Sequence, residues 1–171
     1  MTIQLIRPTK VLEQEYQEFY WEWKRSGEKL IPSIIEKFPD DIDCFLQFID
    51  NNEKGKNLPD GWVPDSTFWL VKGKLIIGVV NIRHQLTEML LTIGGHIGYG
   101  IRPSERRKGY ATKILELALL EAKRVGINKA LVTCDADNIG SLKAILKNGG
   151  IEDEEFIEDD GNVVKRFWIE L

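Results

Sequence analysis

The sequence predicts an α/β (α+β) fold in one domain, with a mixed, mostly antiparallel sheet flanked by helices. Three observations carry this. Short runs rich in β-branched and aromatic residues alternate with stretches whose apolar residues recur at i, i+3, i+4 and i+7. The 171 residues suit one domain, residues 1–171, and can bury a sizeable core. Hydrophobic residues at 43% beside charged residues at 29% are the balance of an ordinary globular chain.

The elements follow in chain order. Leu12, Tyr16, Phe19, Tyr20 and Trp23 share one helical face, which predicts a helix over about 10–24. Ile42, Phe45, Leu46 and Ile49 predict a second over Asp41 to Asp50. Asn51 to Pro64 carries the Asn, Gly and Pro content of a loop. Thr67 to Val71 and Leu75 to Ile82 read as strands joined by a turn at Gly73, a hairpin. Gln85 to Leu91 reads as a short helix or a wide turn. Gly94 to Ile101 reads as a glycine-rich strand ended by Pro103, and glycine inside a strand marks a close approach of backbone or ligand. Ala111, Ile114, Leu115, Ala118, Leu119, Ala122 and Val125 define the strongest helix, stopped by Gly126. Ala130 to Cys134 is a strand and Gly140 to Lys147 a helix. Phe156 to Leu171 holds two strand-like pieces around Asp159-Asp160-Gly161-Asn162.

Charge and patterning exclude several classes. Lys and Arg number 23 against 27 Asp and Glu, a net charge of −4, whereas a nucleic-acid binder needs a basic face. The longest aliphatic stretch, Leu75 to Val80, is broken by Gly78 and too short to span a bilayer. The first residues, Met1 to Pro8, lack the basic start and apolar run of a leader, so a cytoplasmic protein without membrane contact is expected. Cys44 and Cys134 lie far apart, without metal-type spacing, and are expected as free thiols; no metal is predicted.

One stretch points to a ligand: Ile101-Arg102-Pro103-Ser104-Glu105-Arg106-Arg107-Lys108-Gly109-Tyr110-Ala111-Thr112. A helix start leaves several N–H groups unpaired and carries partial positive charge, so it binds anions. Gly109 lets a phosphate approach the backbone, Ala111 keeps the helix start small, and Thr112 offers a hydroxyl. Arg106, Arg107 and Lys108 oppose the helix dipole unless an anion joins them. The Gly-Lys-Ser/Thr ending of a Walker loop and the Gly-x-Gly-x-x-Gly spacing of a dinucleotide site are both absent.

Arg106-x-x-Gly109-x-Ala111, after a strand ending Ile101-x-Pro103 and before a long helix, resembles the acetyl-CoA signature of the GNAT superfamily of N-acetyltransferases. Asn138-Ile139-Gly140-Ser141, before a helix closing in Lys147-Asn148-Gly149-Gly150, resembles the family's later Asn-x-Ala-Ser block. The resemblance covers about residues 67 to 171. It implies a GNAT-like fold using acetyl-CoA as co-substrate. The pyrophosphate would rest on Arg106, Arg107, Lys108, Gly109, Tyr110, Ala111 and Thr112. The pantetheine would pair along Tyr99, Gly100 and Ile101, with a backbone N–H near Ile101 polarising the thioester carbonyl. Asn138 and Ser141 would meet the cofactor's other edge. The implied reaction is direct attack of an amine on the thioester.

The chain departs from the family at the usual acid and at one usual base. The tyrosine position of the last helix holds Ile145, and a carboxylate position on the preceding strand holds Thr133. His96 is the first candidate base and His84 the second, because histidine titrates near neutral pH; Glu88, Tyr99 and a water chain are further candidates. Trp21, Trp23, Tyr16, Tyr20, Trp62 and Trp69 could line an acceptor pocket, although helical spacing favours core packing for Tyr16, Phe19 and Tyr20. The acidic segments Glu152 to Glu155 and Glu158 to Asp160 could attract a cation. The acceptor is either a small-molecule amine or a protein amine (an N-terminus or a lysine). A non-catalytic acyl-CoA-binding domain is the rival class, and assembly as a homodimer is left open.

Overall fold

The computed structural model describes residues 1–171. Its elements are β1 (Ile3–Ile6), α1 (Glu13–Arg25), α2 (Ile42–Glu53), β2 (Asp65–Lys72), β3 (Leu75–Arg83), α3 (Glu88–Thr92), β4 (Ile97–Ile101), α4 (Tyr110–Arg124), β5 (Lys129–Asp135), α5 (Ile139–Lys147), β6 (Ile151–Ile157) and β7 (Val163–Glu170). The strands form two sheets, ordered β1-β2-β3-β4 and β5-β7-β6, and every ladder is antiparallel.

The first sheet is covered on both faces, which is why seven of the eight residues of β2 are buried. Alternation along a strand sends neighbouring side chains to opposite sides. Phe68, Leu70, Val80 and Ile82 pack on one side against Ile114, Leu115 and Ala118 of α4. Trp69, Val71 and Val79 pack on the other against Tyr16, Phe19 and Trp23 of α1 and Phe45 and Ile49 of α2. Trp69 stacks on Tyr16 with ring centroids 4.7 Å apart. Burying each such side chain contributes about 1.5–3 kcal/mol before chain entropy is counted. Trp69, Tyr16 and Tyr20 are therefore core residues. Trp21 is exposed. No helix is long and apolar enough to cross a membrane.

Polar ties fix α1 over the end of β4. The buried Arg102 guanidinium is ion-paired to Glu22 and donates from Nη1 to Ile76 O at 3.2 Å. The second oxygen of Glu22 accepts the Ser104 N–H at 2.9 Å.

The two sheets meet at His96. Its N–H donates to Leu131 O at 2.8 Å, and the Leu131 N–H donates back to His96 Nδ1 at 2.9 Å. No ladder joins β4 to β5, so the outer edge of β4 is left open.

Three boundaries differ from the sequence reading. β1 was not predicted; four residues before Arg7-Pro8 give little periodicity, and the strand exists by pairing with β2, Ile3 opposite Lys72. The glycine-rich strand begins at Ile97, because Gly94 and Gly95 turn the chain with φ of 98° and 59°. β6 begins at Ile151 and includes the acidic run Glu152 to Glu155. Cations on β7 offset that charge: Lys165 lies 2.9 Å from Glu152 and 2.8 Å from Glu155, and Arg166 lies 3.2 Å from Asp153.

Candidate active site

The site begins with the free edge of β4. The Arg83 N–H donates to His96 O at one end of the β3–β4 ladder, and the Arg102 N–H donates to Ile77 O at the other. Antiparallel alternation then turns the polar groups of Gly98 and Gly100 toward β3. Those of Tyr99 and the N–H of Ile101 face the opposite, unpaired edge, a template for an added strand-like ligand. Ile101 O on that edge accepts from Arg106 Nε at 3.0 Å.

This edge forms one wall of a cleft of about 420 Å³. Tyr99, Gly100, Ile101, Arg106, Arg107, Gly109, Tyr110, Ala111, Thr112, Asn138 and Ser141 all line it. The floor is the start of α4. Gly109, with φ of 83°, occupies the left-handed region before Tyr110, and nothing lies within 4 Å of where its Cβ would be. The backbone N–H groups of residues 107–112 have no acceptor within the protein. Six consecutive free amides at a helix N-terminus suit an anion such as a pyrophosphate.

The cations are arranged differently from the sequence expectation. Lys108 does not line the cleft; it reaches Glu105 at 3.0 Å. Arg106 lies 2.6 Å from Glu28, its guanidinium 5.3 Å from the Trp23 ring centroid. It works as a clamp between α4's approach and the chain after α1. Arg107 makes no ion pair and is exposed, so it is the uncommitted cation of the three.

The opposite wall was not foreseen as a set. Trp23, Glu28, Lys29 and Ile31 line it. A Cβ on Gly100 would collide with Ile31 O and the Trp23 ring. Glycine is thus required there by the protein's own roof, and the Ile31 carbonyl is the close approach of another backbone that the glycine-rich strand predicted. At the far rim, Asn138 Oδ1 caps α5 by accepting the Ser141 N–H at 3.1 Å. That leaves the Ser141 hydroxyl 2.8 Å from Tyr99 Oη. Burial pushes the Tyr99 phenol up to about 12, so it stays protonated at neutral pH.

The candidate bases lie elsewhere. His96 is buried and outside the cleft, and burial followed by the nearby Arg83 charge brings it down to about 4. Its Nδ1 lone pair is taken by Leu131, so the neutral ring carries its proton on Nε2 and has no lone pair left to receive another. His84 lies outside the cleft with Nε2 2.8 Å from Ser66 Oγ, and burial lowers it too. Glu88 is exposed at the start of α3. Ile145 is fully buried in the core. Thr133 Oγ1 accepts the Gly94 N–H at 3.1 Å and holds the turn before His96.

A second cavity, of about 180 Å³, lies on the α1–α2 face of the sheet. Its polar lining includes Asp65, Asn81 and Arg83, and Trp62 is the one proposed acceptor-site tryptophan that borders it. Asp65 and Arg83 carry no motif, and only their cross-strand register brings them together.

The comparisons agree with the geometry. A family model described as an acetyltransferase (GNAT) domain matches residues 7–151. Three solved structures share the fold. The microcin C7 self-immunity acetyltransferase MccE, in complex with acetyl-CoA and AMP, superposes with a TM-score of 0.67 at 18% identity, covering 99% of this chain and 92% of that one. A Salmonella typhimurium acetyltransferase that modifies the N-terminal serine of a ribosomal protein gives 0.70 at 13% identity, covering 100% and 96%. A chimera of the spermidine N-acetyltransferase SpeG from Vibrio cholerae and hSSAT gives 0.62 at 15% identity, covering 99% and 96%. No curated protein matches the sequence at a significant level.

Proposed function

The chain belongs to the GNAT acetyltransferase family and is an acetyl-CoA-dependent N-acetyltransferase, and on that premise we propose that the cleft between β4, α4 and α5 holds the acetyl donor. The observation that carries this reading is the run of six free amides at residues 107–112 meeting the unpaired edge of β4. The amides and Arg107 would take the pyrophosphate. The polar groups of Tyr99 and the N–H of Ile101 would pair with the pantetheine and polarise the thioester carbonyl, stabilising developing negative charge. Asn138 keeps the rim in shape, and Arg106 keeps the roof closed over Gly100.

In the transfer itself, a neutral amine attacks the thioester carbon, the C–N bond forms, the C–S bond breaks, and the nitrogen sheds one proton, which balances the one that the departing thiolate takes up. The thiolate needs a proton. Tyr99 and Ser141 are the hydroxyl pair the cleft offers for it, in place of a tyrosine at Ile145. His96 holds the strands in place and takes no part in proton transfer. The relatives with solved structures act on a polyamine in one case and a protein N-terminus in another, so an amine acceptor is supported and its size is the remaining question.

Gly109→Val tests the donor site. A branched residue at φ of 83° is strained, and its methyl groups cover the amides below. We expect the KM for acetyl-CoA to rise about tenfold or more, followed by release of free thiol, with the far-ultraviolet spectrum unchanged. A folded variant with an unchanged KM would remove the assignment.

A further inference from the structure

The unpaired edge of β4 is short, and both of its ends are closed. At one end His96 and Leu131 bond each other and join the sheets. At the other, Arg106 Nε donates to Ile101 O at 3.0 Å. The ladder bonds of His96 O and the Arg102 N–H to β3 leave the polar groups of Ile97, Tyr99 and Ile101 on the free edge. Ile101 O is the one of these that a side chain already occupies.

The strand itself gives a paired ligand few landmarks. It reads Ile-Gly-Tyr-Gly-Ile, and Gly98 and Gly100 leave the face toward α1 without side chains of its own. Register is weakly specified in a glycine-rich strand, and pairing slips. The edge groups recur at every second residue, so one slip moves the paired chain by about 7 Å. A reacting carbon has to be placed within about 1 Å.

Arg106 stands where a stop is needed. The single turn Pro103–Glu105 carries it back over the end of the strand. Its guanidinium is held on three sides, by Ile101 O, by Glu28 at 2.6 Å and by the Trp23 ring, 5.3 Å to the centroid. A guanidinium so committed is not free to follow a phosphate, and the exposed, unpaired Arg107 beside it is.

We propose that Arg106 is a positioning residue: by taking Ile101 O out of the pairing edge, it sets the register of the pantetheine on β4 and so the place of the thioester carbonyl. The proposal rests on the reading of the β4 edge as the donor site. With Ile101 O free, the donor gains an acceptor at the end of the strand and pairs out of place. Acetyl-CoA then binds with little loss of affinity, but part of it lies where its carbonyl cannot react. A cation that held the phosphates would, when removed, weaken binding instead.

Two variants separate these roles, because they exchange what each role needs. Arg106→Lys keeps the positive charge but puts a methylene where Nε stands. Arg106→Gln loses the charge but carries an N–H donor as many bonds from Cα as Nε. Affinity for acetyl-CoA is measured by calorimetry, which also reports folding. Register is read by carbon NMR of acetyl-CoA labelled with carbon-13 at the acetyl carbonyl, bound with no amine present. The wild type is expected to show one carbonyl resonance, displaced from that of free acetyl-CoA. Arg106→Gln is expected to keep it. Arg106→Lys is expected to show a second resonance, or one averaged away from the wild-type position. Both variants should bind within about threefold of the wild type, against the tenfold or more lost with a charge-assisted phosphate contact. An Arg106→Lys protein with the wild-type resonance, an Arg106→Gln protein that lacks it, or binding about tenfold weaker in either would each overturn the proposal. A wild type that binds acetyl-CoA with its carbonyl resonance undisplaced overturns the placing of the thioester on β4 as well, and one that does not bind it overturns the donor cleft.

Discussion

At the scale of single residues, His96 shows why a titratable side chain at the right place in the sequence need not carry the chemistry. His96 sits between the sheets with one ring nitrogen occupied by a backbone N–H. Removing it strands a buried donor, a loss of about 1–3 kcal/mol. We expect His96→Ala to lower the unfolding free energy by that amount, measured in urea. The folded fraction should keep the acid limb of its pH–rate profile, because the proton traffic does not pass through this ring. A flattened limb would restore His96 as the base. Histidine was a sound first candidate on its intrinsic pKa, but a pKa near neutrality matters only where a lone pair faces the substrate. Nothing in the sequence around Gly94-Gly95-His96 reports that Leu131, 35 residues later, already uses it.

At the scale of elements, legibility follows the range of the interactions that form each one. α4 was readable because its apolar stripe and its stop at Gly126 are local. The turn before it was readable for the same reason: its amides, Gly109 and Ala111 are contiguous in the chain. β1 was not, since four residues gain their stability from β2, more than 60 positions away in the ladder Ile3–Lys72. The cleft's roof was missed likewise; Arg106 meets Glu28 across 78 positions. The pairing of Asp65 with Arg83 depends on a register that only a folded hairpin sets. The Asn138 block lies between these cases, because its resemblance named a cofactor contact while its geometry adds a helix cap. Asn138→Ala should cost about 1 kcal/mol through the lost cap. The first turn of α5 carries Ser141 at the cleft's rim, so the same variant should also raise the KM for acetyl-CoA. Loss of stability with an unchanged KM would mean that the cap serves the helix alone.

At the scale of the whole molecule, Asp65 and His96 make stability depend on pH in opposite senses. Burial raises Asp65 from its ordinary 3.8 to about 6, against the pull of Arg83 and with a push from Glu53. Its native form therefore holds the proton more tightly than the unfolded chain does. The stability it contributes is complete below about pH 3.8 and is lost as the pH rises through 6. Burial lowers His96 from 6.5 to about 4, so its contribution is complete above pH 6.5 and is lost as the pH falls through 4. His84 is lowered in the same sense as His96. Each shift of about two units corresponds to up to about 3 kcal/mol, and between about pH 4 and 6 the two slopes oppose each other. The wild-type stability should accordingly change little across that window. Asp65→Asn removes one slope and leaves the other. Its unfolding free energy in urea should exceed that of the wild type by about 1–3 kcal/mol at pH 8 and converge on it near pH 4. Acidification of the variant should then expose the loss due to His96, which the wild type conceals. Parallel curves for the two proteins would mean that burial does not hold the proton on Asp65 in the folded enzyme.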